Sequence, residues 1–102
     1  MNLKYKKVAS NIQIFLYGEL DEYSASKLRK ELDAIIENNL VAKKFIFDLS
    51  GVTFMDSTGI GMFLGRYKKI RSLNACVFVT GISSNIEKIF EISGLFKLIP
   101  KI

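Results

Sequence analysis

The stretch Phe45–Arg71, FIFDLSGVTFMDSTGIGMFLGRYKKIR, constrains the fold more than any other part of the chain. Phe45-Ile46-Phe47-Asp48-Leu49 is short, aromatic and β-branched, the composition of a buried strand. From Thr58 onward, Ile60, Phe63, Leu64, Tyr67 and Ile70 recur at the spacing of one helical face. Between the two lies Asp56-Ser57-Thr58-Gly59, three cap-type side chains at the mouth of a helix. A strand that enters a helix through a small polar turn places that turn at the carboxyl edge of a sheet. In α/β proteins that edge is where ligands and partners are met.

The rest of the chain supplies elements on both sides of this unit. Leu3–Val8 alternates loosely among lysines, as a charge-protected edge strand does. After a turn at Ser10-Asn11, Ile12, Ile14 and Leu16 share one face of a second strand, with Gln13, Phe15 and Tyr17 on the other. The two strands are expected to form an antiparallel hairpin. Gly18 ends the second strand, and a helix follows over Ser24–Asn38, with Ala25, Leu28, Leu32, Ile35 and Ile36 on one face. Asn38-Asn39 suits a left-handed helix exit. A strand over Ala75–Val79 follows the loop Ser72-Leu73-Asn74. The third helix has capping-box spacing at Ser84 and Glu87, an apolar face of Ile86, Ile89 and Phe90, and Gly94 at its end. Leu95–Ile99 adds a short strand or packs on the core. The order ββαβαβα requires crossovers between parallel strands. The expected fold is therefore α/β: one domain over residues 1–102, a mixed sheet that begins with an antiparallel hairpin and continues by parallel crossovers, packed with three or more helices.

Composition narrows the function. At 102 residues, 49% hydrophobic and 25% charged, the chain is globular and large enough for one core. No apolar run approaches the roughly 20 residues of a membrane span, and the N-terminal lysines are not followed by the apolar segment of a secretory signal. The single cysteine, Cys76, lies in an apolar run and reads as a buried residue. These features point to the cytoplasm. The net charge of +5 is spread over small groups of lysine and arginine. No basic stripe interleaved with aromatics is visible, so direct contact with nucleic acid is not expected.

Catalysis is the poorer reading. With no histidine, a Ser-His-Asp triad is impossible; one cysteine and no histidine also rule out an ordinary zinc site. Gly59, Gly61 and Gly65 miss the dinucleotide fingerprint by one position, and no acid stands near position 79 to hold a ribose. Neither an enzyme nor a cofactor is expected. Read as plain structure, Asp56 or Ser57 caps the helix. Against that, Gly61 and Gly65 each cost roughly 1 kcal/mol relative to alanine inside a helix, which suggests close approach of something to the backbone. On a wheel centred on the apolar face, Thr58, Met62, Gly65 and Lys69 point outward.

Several stretches together resemble the anti-sigma-factor antagonists, small bacterial proteins of the STAS fold, in the pattern of the sporulation type. They are Gly18-Glu19-Leu20-Asp21 with Ala25 and Leu28-Arg29, then Asp48-Leu49-Ser50, Phe54 through Gly59, Ile89-Phe90, and Ser93-Gly94-Leu95-Phe96. The resemblance covers nearly the whole chain. It implies a partner switch, in which the unphosphorylated antagonist binds an anti-sigma factor that is also an ATP-dependent serine kinase, freeing a sigma factor. The kinase then phosphorylates the serine that matches Ser57, the antagonist is released, and a serine phosphatase resets it. Asp21 matches the family's acidic position near that serine. Thr58 is the adjacent rival hydroxyl. The expected partner surface is Asp21, Asp56, Ser57, Thr58, Gly61, Met62 and Gly65. A second class of function is a STAS module serving as scaffold in a transport or stress-signalling assembly, with Ser57 only capping a helix. One departure stands out: sporulation antagonists of this pattern tend to be acidic, and this chain is basic.

Overall fold

The computed structural model describes residues 2–102. Strand β1 (Asn2–Val8) pairs antiparallel with β2 (Asn11–Leu20). Helix α1 (Glu22–Glu37) then leads to β3 (Lys44–Met55), α2 (Ser57–Ser72) to β4 (Cys76–Thr80), and α3 (Ser84–Ser93) to a 3-10 turn at Leu95–Lys97. The sheet runs in the order β1-β2-β3-β4, with β2, β3 and β4 mutually parallel. This is the mixed single-domain architecture expected from the sequence.

The strand order explains the layering. Two successive crossovers that step the same way across a sheet, both right-handed, place their helices on the same face. On that face Ile12, Ile14, Leu16, Phe45, Phe47, Val77 and Val79 are buried. Helix α1 contributes Leu28, Leu32 and Ile36 to the same core. Phe63 of α2 is its keystone: its ring meets Phe47 edge-on at 5.3 Å and Phe90 at 5.5 Å, so one side chain ties β3, α2 and α3 together. Edge-to-face pairs of this kind add roughly 0.5–1.5 kcal/mol beyond area burial. Leu64 and Ile89, also expected in the core, are only partly buried against it.

Five local details differ from the sequence reading. The hairpin turn is Ala9-Ser10, with Ala9 at φ 56, rather than Ser10-Asn11. Helix α1 ends on Asn38 in a right-handed conformation; its stop comes instead from the Asn39 side-chain amide, which donates to the Ile35 carbonyl at 2.7 Å. The cap residue of α3 is Ser83, without a side-chain cap bond, although Gly94 does close that helix at φ 78. Finally, β3 does not stop near Leu49 but continues to Met55, still paired with β2 through Gly18↔Val52 and Leu20↔Met55 after shifts in register. Gly51 lets this happen: a Cβ there would lie 2.4 Å from the Tyr17 ring and 2.9 Å from the Leu16 carbonyl. Cys76, expected to be buried, is exposed because its side chain falls on the uncovered face of the sheet.

Candidate functional site

The pairing of Leu20 with Met55 fixes the site. The residues that follow each of them, Asp21 and Asp56, begin α1 and α2 side by side at the carboxyl edge of the sheet, on strands about 5 Å apart. The Asp56 amide donates to the Leu20 carbonyl at 3.2 Å, which locks the two helix starts together.

Each aspartate is committed to its own helix. Asp21 accepts from the Tyr23 and Ser24 amides at 3.0 Å each, and Ser24 Oγ accepts from the Asp21 amide at 3.1 Å, completing a capping box. Asp56 accepts from the Thr58 amide at 2.9 Å. The sequence left the cap of α2 open between Asp56 and Ser57; the backbone assigns it to Asp56, whose extended conformation is that of a cap residue. Ser57 is therefore the first residue of the helix proper. It is exposed, and its hydroxyl enters no hydrogen bond among the described residues.

The amides of the first turn are largely spent. Thr58 donates to the Asp56 carboxylate, while Gly59 and Ile60 donate to its carbonyl at 3.0 and 3.4 Å. An anion on Ser57 would thus sit at the positive end of the α2 dipole but outside any cradle of free amides.

Helix α2 is buried on two sides, against the sheet and against α1. Its buried residues include Gly59, Met62, Phe63 and Ile70. Met62 is 2% exposed, which corrects its expected place on the outer surface. The wheel assumed one apolar face, whereas a second face of α2 is also covered: Gly59 packs on Met55 and Leu20, and Arg66 faces α1. There Arg66 Nε lies 3.0 Å from Asp33 Oδ1, and Lys69 Nζ lies 3.2 Å from the same oxygen.

What remains outside is a stripe at i, i+4 and i+8: Ser57, Gly61 and Gly65. A Cβ on Gly61 or Gly65 would meet nothing within 4 Å, so nothing inside the molecule requires a glycine there. Gly59 is different: its Cβ would lie 2.4 Å from Met55 Cγ, a packing requirement the sequence did not reveal. Thr58 is half-buried. Of the expected surface residues, then, Asp21, Asp56, Ser57 and Thr58 meet at the carboxyl edge, Gly61 and Gly65 continue from Ser57 along the outer side of α2, and Met62 is buried.

A feature the sequence reading missed lies beside Ser57. A depression of about 320 Å³ opens between the start of α2 and α3, floored by Met55 and Ile60 and walled by Ile89, Ile92 and Ser93. Ile92 is 88% exposed at its rim. Its signal in the sequence was an isoleucine off the apolar face of α3, at a position a solvated helix fills with a polar residue. Among the described residues no cluster of metal-ligating side chains occurs, and no helix is long and apolar enough to cross a membrane.

The STAS domain family matches residues 2–102. The chain is 36% identical over 90 residues to the anti-sigma-B factor antagonist of Listeria monocytogenes, covering 87% of this chain and 76% of that one. To the anti-sigma F factor antagonist of Paenibacillus polymyxa it is 33% identical over 85 residues, covering 83% and 72%. The fold superposes on the Bacillus cell fate determinant SpoIIAA in its phosphorylated form with a TM-score of 0.73, at 24% identity, covering 99% of this chain and 91% of that one.

Proposed function

The chain belongs to the STAS domain family, and from that premise we propose that it is the antagonist of a phosphorylation-controlled partner switch. In its unphosphorylated form it binds an anti-sigma factor that is also a serine kinase using ATP, and so releases a sigma factor. Phosphorylation at Ser57 ends that binding, and a serine phosphatase restores it. The cycle runs in the cytoplasm, and the chain takes part as ligand and phosphoacceptor rather than as an enzyme.

The observation that carries this reading is the division of labour between Asp56 and Ser57. Because Asp56 caps α2, the Ser57 hydroxyl is free for a partner and can be modified without loss of an internal bond. The exposed Gly61 and half-buried Gly65, with open space where a Cβ would stand, let a partner's surface approach the α2 backbone, and the apolar depression beside Ser57 offers area to bury.

The switching step follows from charge. A phosphate on Ser57 adds about −1.5 to −2 charges at neutral pH. Asp21 and Asp56, both at the same edge, make that edge more negative still. A partner fitted to a neutral hydroxyl would have to desolvate the new charge, which is costly. Within the antagonist the phosphate points outward at a helix N-terminus, so the fold tolerates it.

The test is incubation with candidate anti-sigma kinases and ATP, followed by mass spectrometry of the intact chain and its peptides. One phosphate on Ser57 is expected, with none on Ser57→Ala, which still binds the kinase. Ser57→Asp is expected to bind weakly. Phosphate incorporated into Ser57→Ala at the wild-type rate, at Thr58 or elsewhere, would refute the assignment.

A further inference from the structure

The monotonic strand order that puts α1 and α2 on one face leaves the other face of the sheet bare. Parallel strands are ordinarily covered on both faces, yet among the described residues no helix crosses this one. The register aligns Lys6, Gln13, Ile46 and Phe78 in one row across all four strands. Phe15 and Lys4 stand opposite each other in the next row. Lys6 Nζ lies 5.7 Å from the centre of the Phe15 ring, and Lys44 Nζ lies 5.6 Å from the centre of the Phe78 ring. The two rings are half-buried, two strands apart and in adjacent rows of the register, about 10–12 Å from each other. In these rows the one carboxylate, Asp48, is turned onto the Ser50 amide and hydroxyl at 3.0 and 2.7 Å.

From this arrangement we infer, against the expectation from the linear sequence, where no basic stripe interleaved with aromatics is visible, that the open sheet face is a second binding surface, separate from the Ser57 edge, whose ligand is single-stranded nucleic acid. Two aromatic rings on a rigid four-stranded sheet form a stacking platform for bases. Lys4, Lys6 and Lys44 put positive charge on this face for a strand's phosphates, and Gln13, two residues from Phe15 on β2 and in the same row as Phe78, offers an amide to a base edge. A second copy of this chain does not fit, because its lysines would meet these lysines. A docked acidic helix fits less well, because the β3 positions between the rings are Ile46 and Asp48, one aliphatic side chain and one carboxylate. The chain's excess of positive charge, which the Ser57 edge does not use, acquires a role here.

Fluorescence anisotropy with a labelled oligouridylate of roughly ten nucleotides tests this. The full chain is expected to bind, with a plot of log affinity against log salt of slope about −2 for three phosphates neutralised. Lys6→Ala with Lys44→Ala should flatten that slope to about −0.7. Phe15→Leu and Phe78→Leu, which keep an apolar side chain, should each weaken binding roughly tenfold without changing the slope. Ser57→Asp should bind as the wild type does. Circular dichroism confirms that each variant is folded, and Lys6→Glu on the exposed surface should abolish binding even if a phenylalanine variant fails to fold. The inference is overturned by no binding at low salt, by equal binding of a polyglutamate peptide, by unchanged affinity in both folded phenylalanine variants, or by loss of binding in Ser57→Asp.

Discussion

Two adjacent side chains at the start of α2 contribute unequally to the helix terminus. Asp56 carries the cap bond to the Thr58 amide, and Ser57 carries none. Asp56→Ala is therefore expected to cost about 0.5–2 kcal/mol, the usual loss for a cap residue. Ser57→Ala, an exposed change that breaks no internal bond, should cost less than about 0.5 kcal/mol. Urea denaturation of the two variants measures the difference, and equal losses would make the Ser57 hydroxyl structural after all. Sequence could not separate these roles, because aspartate and serine are both good caps and only the backbone angles decide which stands outside the helix. Asp21 was legible as an acid close to the serine, but not as the centre of a capping box. That role needs Ser24 three residues on, whereas the usual box pattern is a serine or threonine followed by glutamate or glutamine.

At the scale of elements, periodicity revealed where helices and strands lie but not how many sides of a helix are covered. The apolar spacing of α2 located Phe63 and Ile70 correctly in the core. It misplaced Met62, because a helix wedged between a sheet and a second helix buries two faces that a single wheel cannot describe. Likewise the strand composition of β3 ends at Leu49, and only its pairing with β2 carries the strand on to Met55. The glycines of α2 now separate into two kinds with opposite predictions. Gly61→Ala and Gly65→Ala, facing open space, should each stabilise the domain by up to about 1 kcal/mol through helix propensity while weakening kinase binding. Gly59→Ala should destabilise it, because the new Cβ collides with Met55. Thermal unfolding together with titration of the kinase reads both effects, and unchanged affinity in the Gly61 and Gly65 variants would place the interface elsewhere. In the hairpin, Ala9 holds a positive φ that costs an L-residue about 1–2 kcal/mol. Ala9→Gly should recover part of that, less the entropy of a freer unfolded chain, and raise the unfolding midpoint.

At the scale of the whole molecule, the element order already fixed the mixed sheet and the carboxyl-edge position of Ser57. What it could not display was the open face, whose lysines and aromatics come from four separate strands and meet only through register. The site also depends on how α1 and α2 are held together, since their starts carry Asp21 and Ser57 in parallel. Away from that edge the two helices are joined by Asp33, which faces both Arg66 and Lys69. The Arg66 side chain is 11% exposed and that of Asp33 27%, so the pair is neither a screened surface contact nor a dry one. Arg66 Nε and Nη1 are buried without a well-directed hydrogen bond, so their desolvation is only partly offset by the carboxylate. Removing the acid and removing the base should therefore differ. Asp33→Ala leaves a guanidinium in a tight, unneutralised place and should cost roughly 1–2 kcal/mol, between the surface and buried limits for ion pairs. Arg66→Met takes away the awkward charge, keeps the apolar stem against α1, and should change stability by less than about 1 kcal/mol. Urea denaturation of both single variants and the double variant forms the cycle that tests this. If Arg66→Met proved as damaging as Asp33→Ala, the pair would be a net source of stability, and the packing of the apolar residues between α1 and α2 would not suffice to hold the two helix starts in register.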